Sequence, residues 1–154
     1  MFAVGRVRRW GLWVAAIVCL TALAFGSRAE LSLDELKAKV ANASVGDRPP
    51  VCLEISERQI GAAGRFFELG DPEQAKNALN DVSAFAELAR DYSIQTQKHQ
   101  KNSEIKIRKL TRKLSDMKHL VAHDDQELVQ STIDKLDKVR DDLLISMFPK
   151  VGKK

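Results

Sequence analysis

After Pro72 the next glycine or proline in the chain is Pro149. A run that long without the two strongest helix breakers, and with apolar or small residues at heptad spacing, is constrained to fold as amphipathic helices. The stretch from Asp71 to Val121 opens it. Asp71 is a good N-cap, because its carboxylate accepts amide hydrogens of the first turn. Pro72 takes the first helical position, where its missing N–H costs nothing. Ala75, Leu79, Val82, Ala86 and Ala89 form one apolar series, and Ile107, Leu110, Leu114, Met117 and Val121 a second. Ala89 and Leu110 are 21 residues apart, three whole heptads, so the series stay in phase across a polar waist at Gln95–Glu104. That phase predicts one continuous helix over 72–121, roughly 75 Å long at about 1.5 Å per residue. The fold class expected is all-α, with antiparallel helical hairpins packed along one long central helix. The alternative turns near His99–Asn102 and gives an up-down-up-down four-helix bundle.

Residues 1–29 read as a cleavable signal peptide. Arg6, Arg8 and Arg9 form a basic start, Trp10 to Phe25 is uncharged and apolar, and Ser27-Arg28-Ala29 offers a cut before Glu30. Cys19 lacks the small preceding residue of a lipoprotein signal, and the apolar run is short for a membrane span. The expected compartment is periplasmic or secreted. Export also changes the charge argument. The chain has 25 Lys+Arg against 21 Asp+Glu, but residues 1–29 hold four arginines and no acid, which leaves 30–154 neutral. The basic balance belongs to the signal and gives no warrant for a nucleic-acid partner. One cysteine, Cys52, remains beyond the signal, so an intrachain disulfide framework is excluded there; beside Val51, Leu53 and Ile55 it is expected to be buried.

The remaining organisation follows from caps and breakers. Ser32 and Glu35 have capping-box spacing, with Leu31 and Leu36 placed as a hydrophobic staple, so residues 30–50 read as a short helix ending near Asn42 and a Gly/Pro linker. The linker is expected to set that helix apart from the bundle domain, 51–148. A second helix starts at Pro50 and stops at Gly70, with Ile55, Ala62, Phe66 and Leu69 as its stripe, widened by Ile60, Ala63 and Phe67. Gly61 and Gly64 inside it each cost about 1 kcal/mol relative to alanine, and close approach of a neighbouring helix is the expected compensation. The tight turn Gly70-Asp71 folds this helix back on the next. Asp124 and Glu127 are spaced as cap and return partner for a last helix from about Asp125 to Phe148, whose seam is Val129, Ile133, Leu136, Val139, Leu143 and Met147. Residues 149–154 form a basic tail.

Ala63, Phe66, Gly70, Ala75 and Leu79 carry the small–aromatic–glycine–alanine spacing of a tetratricopeptide unit, which the hairpin resembles over about 34 residues. The initial Trp/Leu positions are missing, Glu87 stands at the closing proline, and no second copy follows. Peptide binding is therefore not carried over from that family.

Charge gives a pairing signal. Residues 98–119 hold eight Lys/Arg against Glu104 and Asp116, and 124–142 hold seven acids against Lys135, Lys138 and Arg140. Two such segments joined by a short turn are expected to lie antiparallel with complementary flanks, which sets register more than stability.

Chemistry is scarce. Phosphate loop, CxxC, CxxCH and HExxH patterns are absent from the sequence. His119 and His123, four apart, are the candidate metal ligands, but His123 falls at the helix end and Asp124 and Asp125 read as caps. A haem held by Met117 or Met147 with a histidine competes with ordinary core roles for both methionines. No cofactor is expected. The basic face of Lys106, Arg108, Lys109, Arg112 and Lys113 is the candidate interaction surface. It lacks interleaved aromatics, which weighs against nucleic acid, and the acidic helix competes with any anionic envelope polymer or lipid headgroup. The expected function is a non-enzymatic interaction or scaffold module, with a protein partner or self-association as a homodimer. A metal- or haem-binding bundle and a periplasmic holdase are the alternatives.

Overall fold

The computed structural model describes residues 31–149. Within them the chain forms five α-helices: α1 (Leu33–Asn42), α2 (Arg48–Glu68), α3 (Pro72–Thr96), α4 (Gln100–Lys118) and α5 (Gln126–Met147). Short 3₁₀ turns, Val45–Asp47 and His123–Asp125, lead into α2 and α5. The signal peptide lies outside the described residues, as does the tail from 150 on.

Local chemistry sets most of the ends. The Ser32 hydroxyl accepts from the Glu35 amide at 3.2 Å, while the Glu35 carboxylate accepts from the Ser32 amide at 2.6 Å, a complete capping box. The bond from the Ser32 amide, with a smaller effect of the Ser32 hydroxyl, holds the Glu35 carboxyl below its ordinary value. At the end of α2, Gly70 takes φ +71°, the Asp71 amide donates to Phe66 and the Gly70 amide to Phe67. This is the left-handed closure that glycine permits and a side chain resists. The Asp71 carboxylate then caps α3 by accepting from the Gln74 amide at 3.1 Å. Pro50, expected to start α2, falls inside its first turn, since the helix begins at Arg48, which already has helical backbone angles.

The long central helix is corrected to a hairpin. α3 stops at Thr96 and α4 starts at Gln100, and between them Gln97 and His99 adopt φ 56° and 62°. Left-handed backbone at two non-glycine residues costs about 1–2 kcal/mol each, so the surrounding packing must hold the turn. The heptad phase between Ala89 and Leu110 survives because both stripes enter the same core, where both residues are fully buried. Shared phase is satisfied by two helices folded onto one core as well as by one rod. The waist is accordingly the tip of a hairpin. Just inside it the hydroxyls of Ser93 and Ser103 hydrogen-bond at 3.0 Å.

The architecture is an all-α bundle, the up-down-up-down alternative. α2 packs chiefly on α3, and α4 on α5; α3 then packs on α5, and α2 on α4. The α2–α3 and α4–α5 turns share one end. The α1–α2 connection and the α3–α4 turn share the other, where Gly46 lies close to Lys98. The core is built from Leu36, Ile55, Leu79, Val82, Ile107, Leu110, Leu114, Val129, Leu136, Val139 and Leu143, all at 1% exposure or less. Each buried side chain of this kind contributes about 1.5–3 kcal/mol.

α1 is part of that core. Leu36 and Val40 join the buried cluster, and Lys37 reaches Asp81 on α3 at 3.2 Å and lies over the Phe85 ring. The loop after α1 therefore does not set the helix apart, contrary to expectation. Arg48 fastens the same corner by donating to the Ala43 carbonyl and stacking on Tyr92. Three smaller corrections follow. Leu69 is 78% exposed, because the left-handed closure at Gly70 lifts the helix end off the core. Gly64 does meet a neighbouring helix, at Met117 of α4, whereas among the described residues the space over Gly61 holds only Arg65 of its own helix. Asp124 and Asp125 are not side-chain caps, since α5 grows out of a 3₁₀ turn in which Asp125 already has helical angles, so no capping box forms with Glu127.

Candidate functional site

α4 carries all five residues of the expected interaction surface, and the bundle divides them. Its buried positions, Ser103, Ile107, Leu110 and Leu114, point into the core. One flank faces α2. There Lys106 and Lys113, two turns apart, both close on the carboxylate of Glu57. These two ammonium groups hold the Glu57 carboxyl below its ordinary value, the hydrogen bond from Lys106 being the larger cause.

The other flank faces α5. Arg108 pairs with Glu104 of its own helix at 3.6 Å, and Glu104 accepts from Arg140 of α5 at 3.2 Å. Lys118 donates to Gln130 of α5 at 2.8 Å. Among the described residues Glu104–Arg140 is the ion pair joining α4 to α5, and its signs are reversed from those expected, the acid lying on the basic helix. The antiparallel arrangement of the two segments is as expected. Lys118 serves it through Gln130, but helix geometry turns Lys106 and Lys113 toward α2 instead.

Lys109 and Arg112 lie on the outward side with Arg108, all exposed. Lys109, Arg112 and Lys101 make no ion pair among the described residues. Beside them on α5, Asp134 and Asp141 are exposed and Asp137 is half-buried. The α4/α5 side of the bundle thus presents a positive stripe on α4 next to the acids of α5, among which Lys135 and Lys138 are also exposed.

Between α2 and α4 a cleft of about 690 Å³ is lined by Pro50, Leu53, Glu54, Glu57, His99 and Lys106 with Asn102 and Ser103. Waist and basic flank meet there. At the opposite end a cleft of about 390 Å³ runs between the ends of α2 and α4, lined by Gly64, Phe67, Met117, Leu120 and Val121 among others. Leu120 is 85% exposed beside it.

The metal candidates both lie in the α4–α5 connection. His119 caps the end of α4 and His123 opens the following 3₁₀ turn, both exposed. His123 borders a shallow hollow with Lys118, Asp124 and Glu127, which His119 does not line. Among the described residues no three His, Cys, Asp or Glu side chains gather as a metal site would need. For haem, Met117 packs against Gly64 near the α4–α5 turn, and Met147 ends α5 at the other end of the bundle.

Cys52 is fully buried on α2, as its neighbours predict. Burial pushes its thiol up to about 11, against a smaller opposing effect of Arg48, so at neutral pH it is the unreactive protonated form. No described helix is long and apolar enough to cross a membrane. Sequence reasoning missed Glu57, the hub for two lysines, because its partners lie 49 and 56 residues away. No protein-family model, curated protein or solved structure matches the chain.

Proposed function

We propose that the chain is an exported, non-enzymatic helical protein that acts as an interaction or scaffold module in the periplasm or cell envelope. One observation carries this reading. The α4/α5 side exposes charge without an ion pair among the described residues, with Lys101, Lys109 and Arg112 on one helix and Asp134 and Asp141 on the other. Folding stability gains little from such residues, whereas charged stripes steer and orient an approaching protein. Export rests on residues 1–29, whose basic start, apolar run and Ser27-Arg28-Ala29 cut site have the pattern of a cleavable signal.

The test is expression of the full sequence in a Gram-negative host, with a photo-reactive group in place of Arg112. Recovery from the envelope or periplasm with Glu30 as first residue, and a reproducible cross-linked protein, is the expected result. An uncut chain retained in the cytosol would remove the export half. Irradiation that captures no protein, not even a second copy, would remove the interaction half.

A further inference from the structure

Resting on the reading of this chain as an interaction module, we propose that the partner of the α4/α5 side is a second copy of the same chain, docked with α4 of each copy against α5 of the other. The bond between Glu104 and Arg140 puts those two residues at one level along the bundle. Counting along two antiparallel helices at about 1.5 Å per residue, Lys101 stands within about 3 Å of the level of Asp141, Arg108 of Asp137, and Arg112 of Asp134. Lys101, Arg108 and Arg112 therefore each have an acid of α5 beside them at almost the same height, while Lys135 and Lys138, also exposed on α5, interrupt its acids. Among the described residues none of these acids is joined to any of these bases, and only Arg108 has an ion-pair partner, Glu104.

Two parallel stripes of opposite sign constrain how identical faces meet. A two-fold axis lying in the interface and parallel to the helices exchanges left for right and leaves height unchanged. It sets α4 on the second copy's α5, antiparallel, with Lys101 facing Asp141 and Arg112 facing Asp134 without any sliding. The in-plane axis perpendicular to the helices stacks α4 on α4 and α5 on α5, which is like charge on like. The surface thus selects one symmetric dimer and opposes the other. An anionic lipid or polymer fits less well, because Asp134, Asp137 and Asp141 would meet the same negative surface as the arginines.

Sedimentation equilibrium of the purified full-sequence product tests this, with two charge-reversed variants at exposed positions: Lys101→Glu/Arg112→Glu, and Asp134→Lys/Asp141→Lys. The wild type is expected to be dimeric at low salt. Its dissociation constant should weaken roughly tenfold or more at about 1 M salt, where screening acts over about 3 Å. Each variant alone repels itself and is expected to be monomeric, with wild-type helicity by circular dichroism. Their equimolar mixture restores a dimer containing one of each, since both stripe contacts are then complementary. Should a variant lose helicity, Lys101→Glu with Asp141→Lys as single changes repeats the test.

A wild type that stays monomeric at low salt overturns the proposal. So does a dimer indifferent to salt and to both variants, or a mixture that fails to associate. If the proposal is overturned while the cross-linker at position 112 captures another protein, the interaction reading stands without self-pairing. Capture of nothing overturns both.

Discussion

The hydroxyls of Ser93 and Ser103 meet at 3.0 Å inside the bundle, one from the last turn of α3 and one from the first turn of α4. Both residues are buried, at 1% exposure or less, so each hydroxyl satisfies the other in a place that water does not reach. Ten residues apart in sequence, they can touch only if the chain reverses between them.

That reversal is held by His99 at φ 62°. Replacing His99 with glycine removes the left-handed strain, offset in part by the freedom glycine adds to the unfolded chain, for a net gain of about 0.5–1 kcal/mol. Urea unfolding checks the sign. A continuous helix through this point would instead lose stability with the same substitution.

Glu57 gives a pH dependence with a definite direction. Lys106 and Lys113 hold its carboxyl below the ordinary value of 4.5. Its contribution is therefore complete above pH 4.5 and is lost as pH falls through the lower folded value. The stability difference between wild type and Glu57→Gln should be flat from neutral pH down to about pH 4.5 and shrink below it. Because the groups are partly exposed, about 1 kcal/mol or less is at stake. A difference that grew on acidification would contradict the pairing.

The two glycines of α2 should respond unequally to alanine. A Cβ at Gly61 meets only an Arg65 nitrogen at 3.8 Å, so Gly61→Ala should gain about 1 kcal/mol of helix propensity. At Gly64 the added carbon comes 3.4 Å from Met117 Cε, which must give slightly, and the gain should be smaller. Thermal unfolding of the two single variants checks the order.

Cys52 should resist thiol reagents in the native protein. Burial leaves it protonated at neutral pH and out of contact with solvent. Modification at Cys52, followed by peptide mapping, should then proceed only as fast as the bundle opens, and should become rapid and complete in urea. Fast labelling of the folded chain would show that the α2 seam is open.

The parts of this fold legible in the sequence are those decided within a few residues. Ser32 and Glu35, Gly70, and Asp71 with Pro72 announce helix ends because their chemistry is local, and the structure places each as read. The apolar stripes of α3, α4 and α5 were legible for the same reason. The α3–α4 turn was not, because Gln97 and His99 take the angles that a glycine would have signalled. Nor was the division of the basic face. Which flank of α4 turns toward α2 depends on how four helices share one core, and nothing in residues 98–119 alone specifies that Lys106 and Lys113 will meet on Glu57.

The short connections also bear on how fast the chain finds its fold. α2 and α3 are joined at Gly70 and Asp71, and α4 and α5 by a 3₁₀ turn, so the largest packing surfaces lie between neighbours in sequence. Contacts of that kind close small loops, and helical domains built from them fold in microseconds to milliseconds. A chain emerging during synthesis would have the principal partner of α2 in hand once residue 96 was made, before any of α4 existed.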